Sequence, residues 1–101
     1  MAKYNVEILP IAREDIAKVY HYIALDNQNA AARTTDEILD KIDTLDEFPE
    51  RCPPVPDNAL ARQGSRMLII KNHIAFFKVF KSDVLIYRVL HGKRDYPQLL
   101  E

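Results

Sequence analysis

Between residues 66 and 91, three apolar-rich runs are separated only by the dipeptides Asn72-His73 and Ser82-Asp83. Connections this short join antiparallel neighbours, because a parallel return needs a crossover of a dozen residues or more. Residues 66–71, 74–81 and 84–91 are therefore predicted to form an antiparallel meander. One face of such a sheet must be covered, so the rest of the chain has to supply a second layer. The upstream sequence has the period for it. Apolar positions recur at Ala12, Ile16, Val19, Tyr20 and Ile23, then at Ala31, Thr35, Ile38, Ile42 and Leu45. Steps of three and four mark two amphipathic helices. Asp26-Asn27-Gln28-Asn29 is the turn between them, with Asn29 as the expected N-cap, so residues 11–47 read as an antiparallel helical hairpin. Tyr4, Val6 and Ile8 alternate with polar residues in a short strand that Pro10 ends. The expected fold class is α+β, in the order β-α-α-β-β-β: a twisted antiparallel sheet with the two-helix hairpin on one face, in one domain over residues 1–101.

Composition narrows what such a domain can do. With 101 residues, 48% hydrophobic and 29% charged, the chain can build one core and is not disordered. The longest apolar run, Met67-Leu68-Ile69-Ile70, is far short of the ~20 residues that span a bilayer, so no membrane partner is expected. The start, MAKYNVEILP, has no apolar stretch of the signal-peptide kind, which predicts a cytoplasmic protein. Cys52 is the single cysteine, so it has no partner for an internal disulfide or a multi-cysteine zinc site. His21, His73 and His91 are scattered, and neither metal nor cofactor is expected. From Phe48 to Gly64 the chain reads as a long loop with four prolines, where residues 58–63 can form a helical turn.

The net charge of −1 conceals an asymmetry. Residues 1–50 carry 5 basic and 11 acidic side chains, a net of −6; residues 51–101 carry 9 and 4, a net of +5. The second helix also bears a carboxylate stripe, Asp36, Asp40, Asp43 and Glu47, which keeps that face off nucleic acid. The basic half is the one that suits a polyanion or an acidic partner.

With Ser82-Asp83 as the turn, strand alternation sorts the meander into two faces. Ala75, Phe77, Val79, Ile86, Arg88 and Leu90 share the face expected to meet the helices. Ile74, Phe76, Lys78, Phe80, Leu85, Tyr87, Val89 and His91 share the open one. Arg88 on the apolar face needs a carboxylate, with Asp95 as the candidate. The densest polar cluster is Arg88, His91, Lys93, Arg94, Asp95 and Tyr96, and nothing in it matches a nucleophile elbow, a phosphate loop or a metal motif.

Taken together these residues resemble the RelE/ParE family of small toxins of bacterial type II toxin–antitoxin systems. The resemblance runs over essentially the whole chain. It rests on Leu9-Pro10 and Asp15-Ile16…Tyr22-Ile23, on Ala30-Ala31-Ala32 and Leu45…Phe48-Pro49, and on Gly64-Ser65-Arg66, where serine replaces the family's aromatic. Its most specific stretch is Ile74-Ala75-Phe76-Phe77-Lys78-Val79 followed by Arg88-Val89-Leu90-His91-Gly92-Lys93-Arg94-Asp95-Tyr96. The resemblance implies the β-α-α-β-β-β fold, a growth-inhibiting activity of the kind that stabilises plasmids, and an acidic, amphipathic antitoxin that binds the chain as a hetero-oligomer.

It also implies one of two targets. ParE-like members poison DNA gyrase, whereas RelE-like members cleave messenger RNA in the ribosomal A site. The nucleases usually carry an arginine where this chain has Ile74, and the Arg-Val-Leu-His-Gly…Arg-Asp wording is closer to ParE-like members. Gyrase is therefore the expected target, with Arg66, Lys78, Tyr87, Arg88, Lys93 and Arg94 as target-binding residues. The alternative is a metal-independent endoribonuclease in which a 2′-hydroxyl attacks the adjacent phosphate. His91 or Tyr96 would then move the proton, and Arg66, Arg88 and Arg94 would clamp the phosphate. A third possibility is an inactive member that only binds its antitoxin.

Overall fold

A computed structural model describes residues 3–93 and Leu100. Strand β1 (Asn5–Ile8) leads into α1 (Pro10–Ala24), then α2 (Gln28–Asp43). A short helix, α3 (Asn58–Arg62), precedes β2 (Arg66–Ile70), β3 (His73–Phe80) and β4 (Asp83–His91). Pro10 sits in the first turn of α1, where its missing N–H costs nothing. The N-cap of α2 is Asn27 rather than Asn29: its side chain accepts the Ala30 N–H at 3.0 Å, so the helix begins two residues early.

The sheet order is β1-β4-β3-β2. Strands β2, β3 and β4 make the expected antiparallel meander, and β1 joins β4 in parallel, so the sheet is mixed. The two helices are the crossover that a parallel return demands. Both hairpin turns lie one residue earlier than their turn-forming dipeptides suggest. Ile70 pairs with His73 and Phe80 with Asp83, which makes the turns Lys71-Asn72 and Lys81-Ser82. Lys71 and Lys81 take left-handed φ values of 54° and 56°.

Beneath the helices, Ala12, Ile16, Ile38, Ile42 and Leu45 pack on Ala75, Phe77, Val84, Ile86 and Val89. The other sheet face is not open as expected. The loop before β2 folds over it: Val55 and Leu60 cover Ile74, Phe76 and Leu90, with Met67, Tyr87 and Leu100 at the margin. That loop is condensed by two 3-10 turns, at Thr44–Asp46 and Pro49–Arg51. It is tied to β2 by bonds from the Met67 N–H to the Pro53 carbonyl and from the Val55 N–H to the Ser65 carbonyl, both 3.0 Å. The two clusters together bury Phe76 and Phe77 completely, each worth about 2–3 kcal/mol of apolar burial.

A bulge in β4 decides where the polar residues go. Phe77 pairs with Ile86 but Phe76 with Arg88, so Tyr87 is the extra residue. Up to the bulge the two faces are as alternation predicts. Beyond it they exchange: Val89 joins the helix-side core and Leu90 the other cluster.

Candidate functional site

The structure separates the predicted site residues into three places. Arg88 reaches α1. Its Nε donates to Asp15 Oδ2 at 2.7 Å and its Nη2 to Oδ1 at 3.0 Å, a two-pronged pairing. The Val89 N–H also donates to Asp15 Oδ2, at 3.0 Å. The carboxylate that answers Arg88 is therefore Asp15, not Asp95, which lies outside the described residues. These bonds push the guanidinium pKa above even its ordinary value. Arg66 pairs in register with Phe77, so it starts from the helix side of the sheet. Its Nη1 donates to the carbonyls of Cys52 at 2.6 Å and Glu50 at 3.3 Å, holding the proline-rich loop against β2.

On the loop-covered face, Lys78 and Tyr87 remain together. The Lys78 ammonium stands 5.5 Å from the centre of the Tyr87 ring. The Tyr87 hydroxyl donates to Ser65 Oγ at 2.8 Å, and burial raises its pKa. Ser65 is fully buried, so the serine at the family's aromatic position is the anchor for this tyrosine. Beside them Phe80 is 61% exposed. Lysine, phenol and exposed aromatic make a mixed cationic and aromatic patch; no base and cation converge there on one point among the described residues.

His91 is placed elsewhere. The bulge turns it away from Lys78 and Tyr87, toward α1, where it stands in register with His73. The two rings meet edge to face, centroids 5.3 Å apart. The Lys93 N–H donates to His91 Nδ1 at 3.2 Å, which leaves Nε2 to carry the proton of the neutral ring. Burial and the neighbouring His91 ring hold His73 below the usual histidine range. Both histidines border a groove of about 720 Å³ between α1 and the ends of β3 and β4. Arg94 and Tyr96 lie outside the described residues, and Lys93 is exposed at the end of β4.

Sequence reasoning missed Asp15 and His73. Asp15 had a signal: it lies one turn from Ala12 and next to Ile16, on the apolar stripe of α1, where a carboxylate demands a cation. His73 was hidden in an assumed turn. Among the described residues no group of three or more histidine, cysteine or carboxylate side chains is placed to hold a metal, and no helix is long and apolar enough to cross a membrane.

Solved structures share this architecture. The chromosomal ParDE toxin–antitoxin system from P. aeruginosa aligns with a TM-score of 0.74 at 19% identity, over 90% of this chain and 98% of that one. The RelBE2 toxin–antitoxin complex from Mycobacterium tuberculosis aligns at 0.57 and 20% identity, over 88% and 98%. Both likenesses are of fold, a small α+β domain. No curated protein sequence matches the chain. A family model described as the ParE toxin of the type II toxin–antitoxin system parDE matches residues 6–96. The chain belongs to that family of type II toxins.

Proposed function

We propose that this chain inhibits growth by binding DNA gyrase in the cytoplasm, and that a cognate antitoxin neutralises it. The observation that carries the choice of target is the employment of Arg88 and Arg66. A nuclease would need both as a phosphate clamp, yet each guanidinium is committed to its own fold, Arg88 on Asp15 and Arg66 on two loop carbonyls. Pulling Arg88 away would leave a carboxylate that is only 6% exposed without its cation, which costs several kcal/mol. Ile74, at the family's usual arginine position, is buried beneath Val55 and Leu60 and offers no charge. His91, the candidate acid or base, faces α1 instead of Lys78 and Tyr87. What supports docking is the patch of Lys78, Tyr87 and Phe80.

Expression of the chain in growing bacteria, with primer extension on ribosome-bound transcripts, tests this. Growth should stop while transcripts stay intact, and Lys78→Glu should weaken the inhibition about tenfold, as loss of one interfacial cation would. Cleavage products from the wild-type chain would establish the endoribonuclease instead. Absence of any growth effect would leave a member that only binds its antitoxin.

A further inference from the structure

The groove between α1 and the sheet ends has walls that the docking patch does not use. Val19, Tyr22 and Ile23 line it from the helix, and His73 and His91 from the strands. Tyr22 is 79% exposed at its rim, a large ring left standing beside an apolar hollow. The charges around the histidines resolve simply. From α1, Asp15 is occupied by Arg88 and the Val89 N–H, which leaves Lys18. From α2, Glu37 pairs with Lys71 of the β2–β3 turn at 2.8 Å. Lys93 lies two residues past His91, beyond the end of β4. Among the described residues both nearby carboxylates are thus answered, and the groove is positive at its Lys18 end. It becomes more so whenever an imidazole takes a proton.

We propose that this groove seats an acidic, apolar segment of the antitoxin, with a carboxylate held between Lys18 and the two histidines and an apolar side chain against Val19, Tyr22 and Ile23. The proposal rests on the chain being an antitoxin-neutralised toxin and adds where, and by what chemistry, that partner is held. A carboxylate beside His73 favours its charged form, so the complex holds more protons than the separated chains. Linkage then makes binding tighter as pH falls through the histidine range. Burial and the neighbouring His91 lower the His73 pKa in the free chain, which leaves room for that uptake.

The test uses the full chain and its candidate antitoxin, the product of a short reading frame sought beside the gene. Titration calorimetry at about pH 6 and about pH 8, in two buffers of different ionisation enthalpy, reads both affinity and proton uptake. The wild-type chain should bind roughly tenfold tighter at the lower pH, with net proton uptake. The double variant His73→Gln, His91→Gln should lose most of that ratio. Lys18→Glu, an exposed change that leaves the fold intact, should weaken binding about tenfold at both pH values. Circular dichroism checks that each variant is folded. An unchanged ratio in the double variant, or full affinity in Lys18→Glu, overturns the groove assignment and leaves the toxin reading standing. Self-association of the chain through the groove, blocked by Lys18→Glu, would assign it to a second copy and overturn the proposal. Failure of the antitoxin to bind the wild-type chain at either pH overturns the toxin reading, and the proposal with it.

Discussion

Asp15 is where the helical layer and the sheet are bonded by charge. One carboxylate, 6% exposed, takes bonds from a guanidinium and a backbone N–H on β4. Asp15→Ala should lower unfolding stability in urea by about 3 kcal/mol, because it strands both donors. The double change Asp15→Leu, Arg88→Met should recover much of that loss, since a packed apolar pair replaces the ions; equal losses in both proteins would show that the pair is not the cause. His73 carries a second prediction. Its folded pKa lies below its unfolded one, so the unfolded chain binds the proton more readily. Stability of the free chain should therefore be full above about pH 6.5 and fall as pH drops below it, and His73→Gln should flatten that part of the profile. Urea midpoints from pH 7 down to pH 5 would measure it, and a slope unaltered by the substitution would assign the loss elsewhere. Neither residue's role was legible locally. Asp15 and Arg88 are far apart in sequence, and periodicity can say that each needs a partner but not which one.

The helices were legible because their stripes are long and strictly periodic: Ala12 to Ile23 and Ala31 to Leu45 lie where the three- and four-residue steps put them. The strands were legible as strands but not in register. A two-residue turn is usually announced by glycine or asparagine in the left-handed region, and here lysine occupies it twice. The change of turn happened to preserve which β3 residues face the helices. The bulge at Tyr87 did not preserve the faces of β4, and it moved His91 out of the expected cluster. Lys81 holds φ 56° without being glycine, and its ammonium gains only an exposed contact, 5.5 Å from the Phe80 ring centre. Lys81→Gly should raise stability by about 0.5 kcal/mol, the left-handed penalty less the entropy glycine loses. At the helix turn, Asn27→Ala should cost about 1 kcal/mol, whereas Asn29→Ala should cost almost nothing, because only Asn27 caps α2. Thermal unfolding of the two alanine variants separates these; a larger loss at Asn29 would contradict the cap.

For the molecule as a whole, the charge asymmetry read from sequence has a spatial counterpart: α2 carries Asp36, Asp40 and Asp43 outward, while Lys78 of the basic half stands over the loop-covered sheet face. Lys18, from the acidic half, borders the groove with the two histidines. The proposed readings give antitoxin and target separate surfaces, and Arg66 and Arg88 are bonded within the fold. In the proposed function the chain acts on gyrase by docking. Purified chain added to DNA gyrase, with ATP and relaxed plasmid, measures this directly. The predicted result is loss of supercoiling as the chain is titrated in, reversed by stoichiometric antitoxin and diminished by Lys78→Glu. Supercoiling that continues unchanged at saturating, folded, growth-inhibiting chain would contradict it.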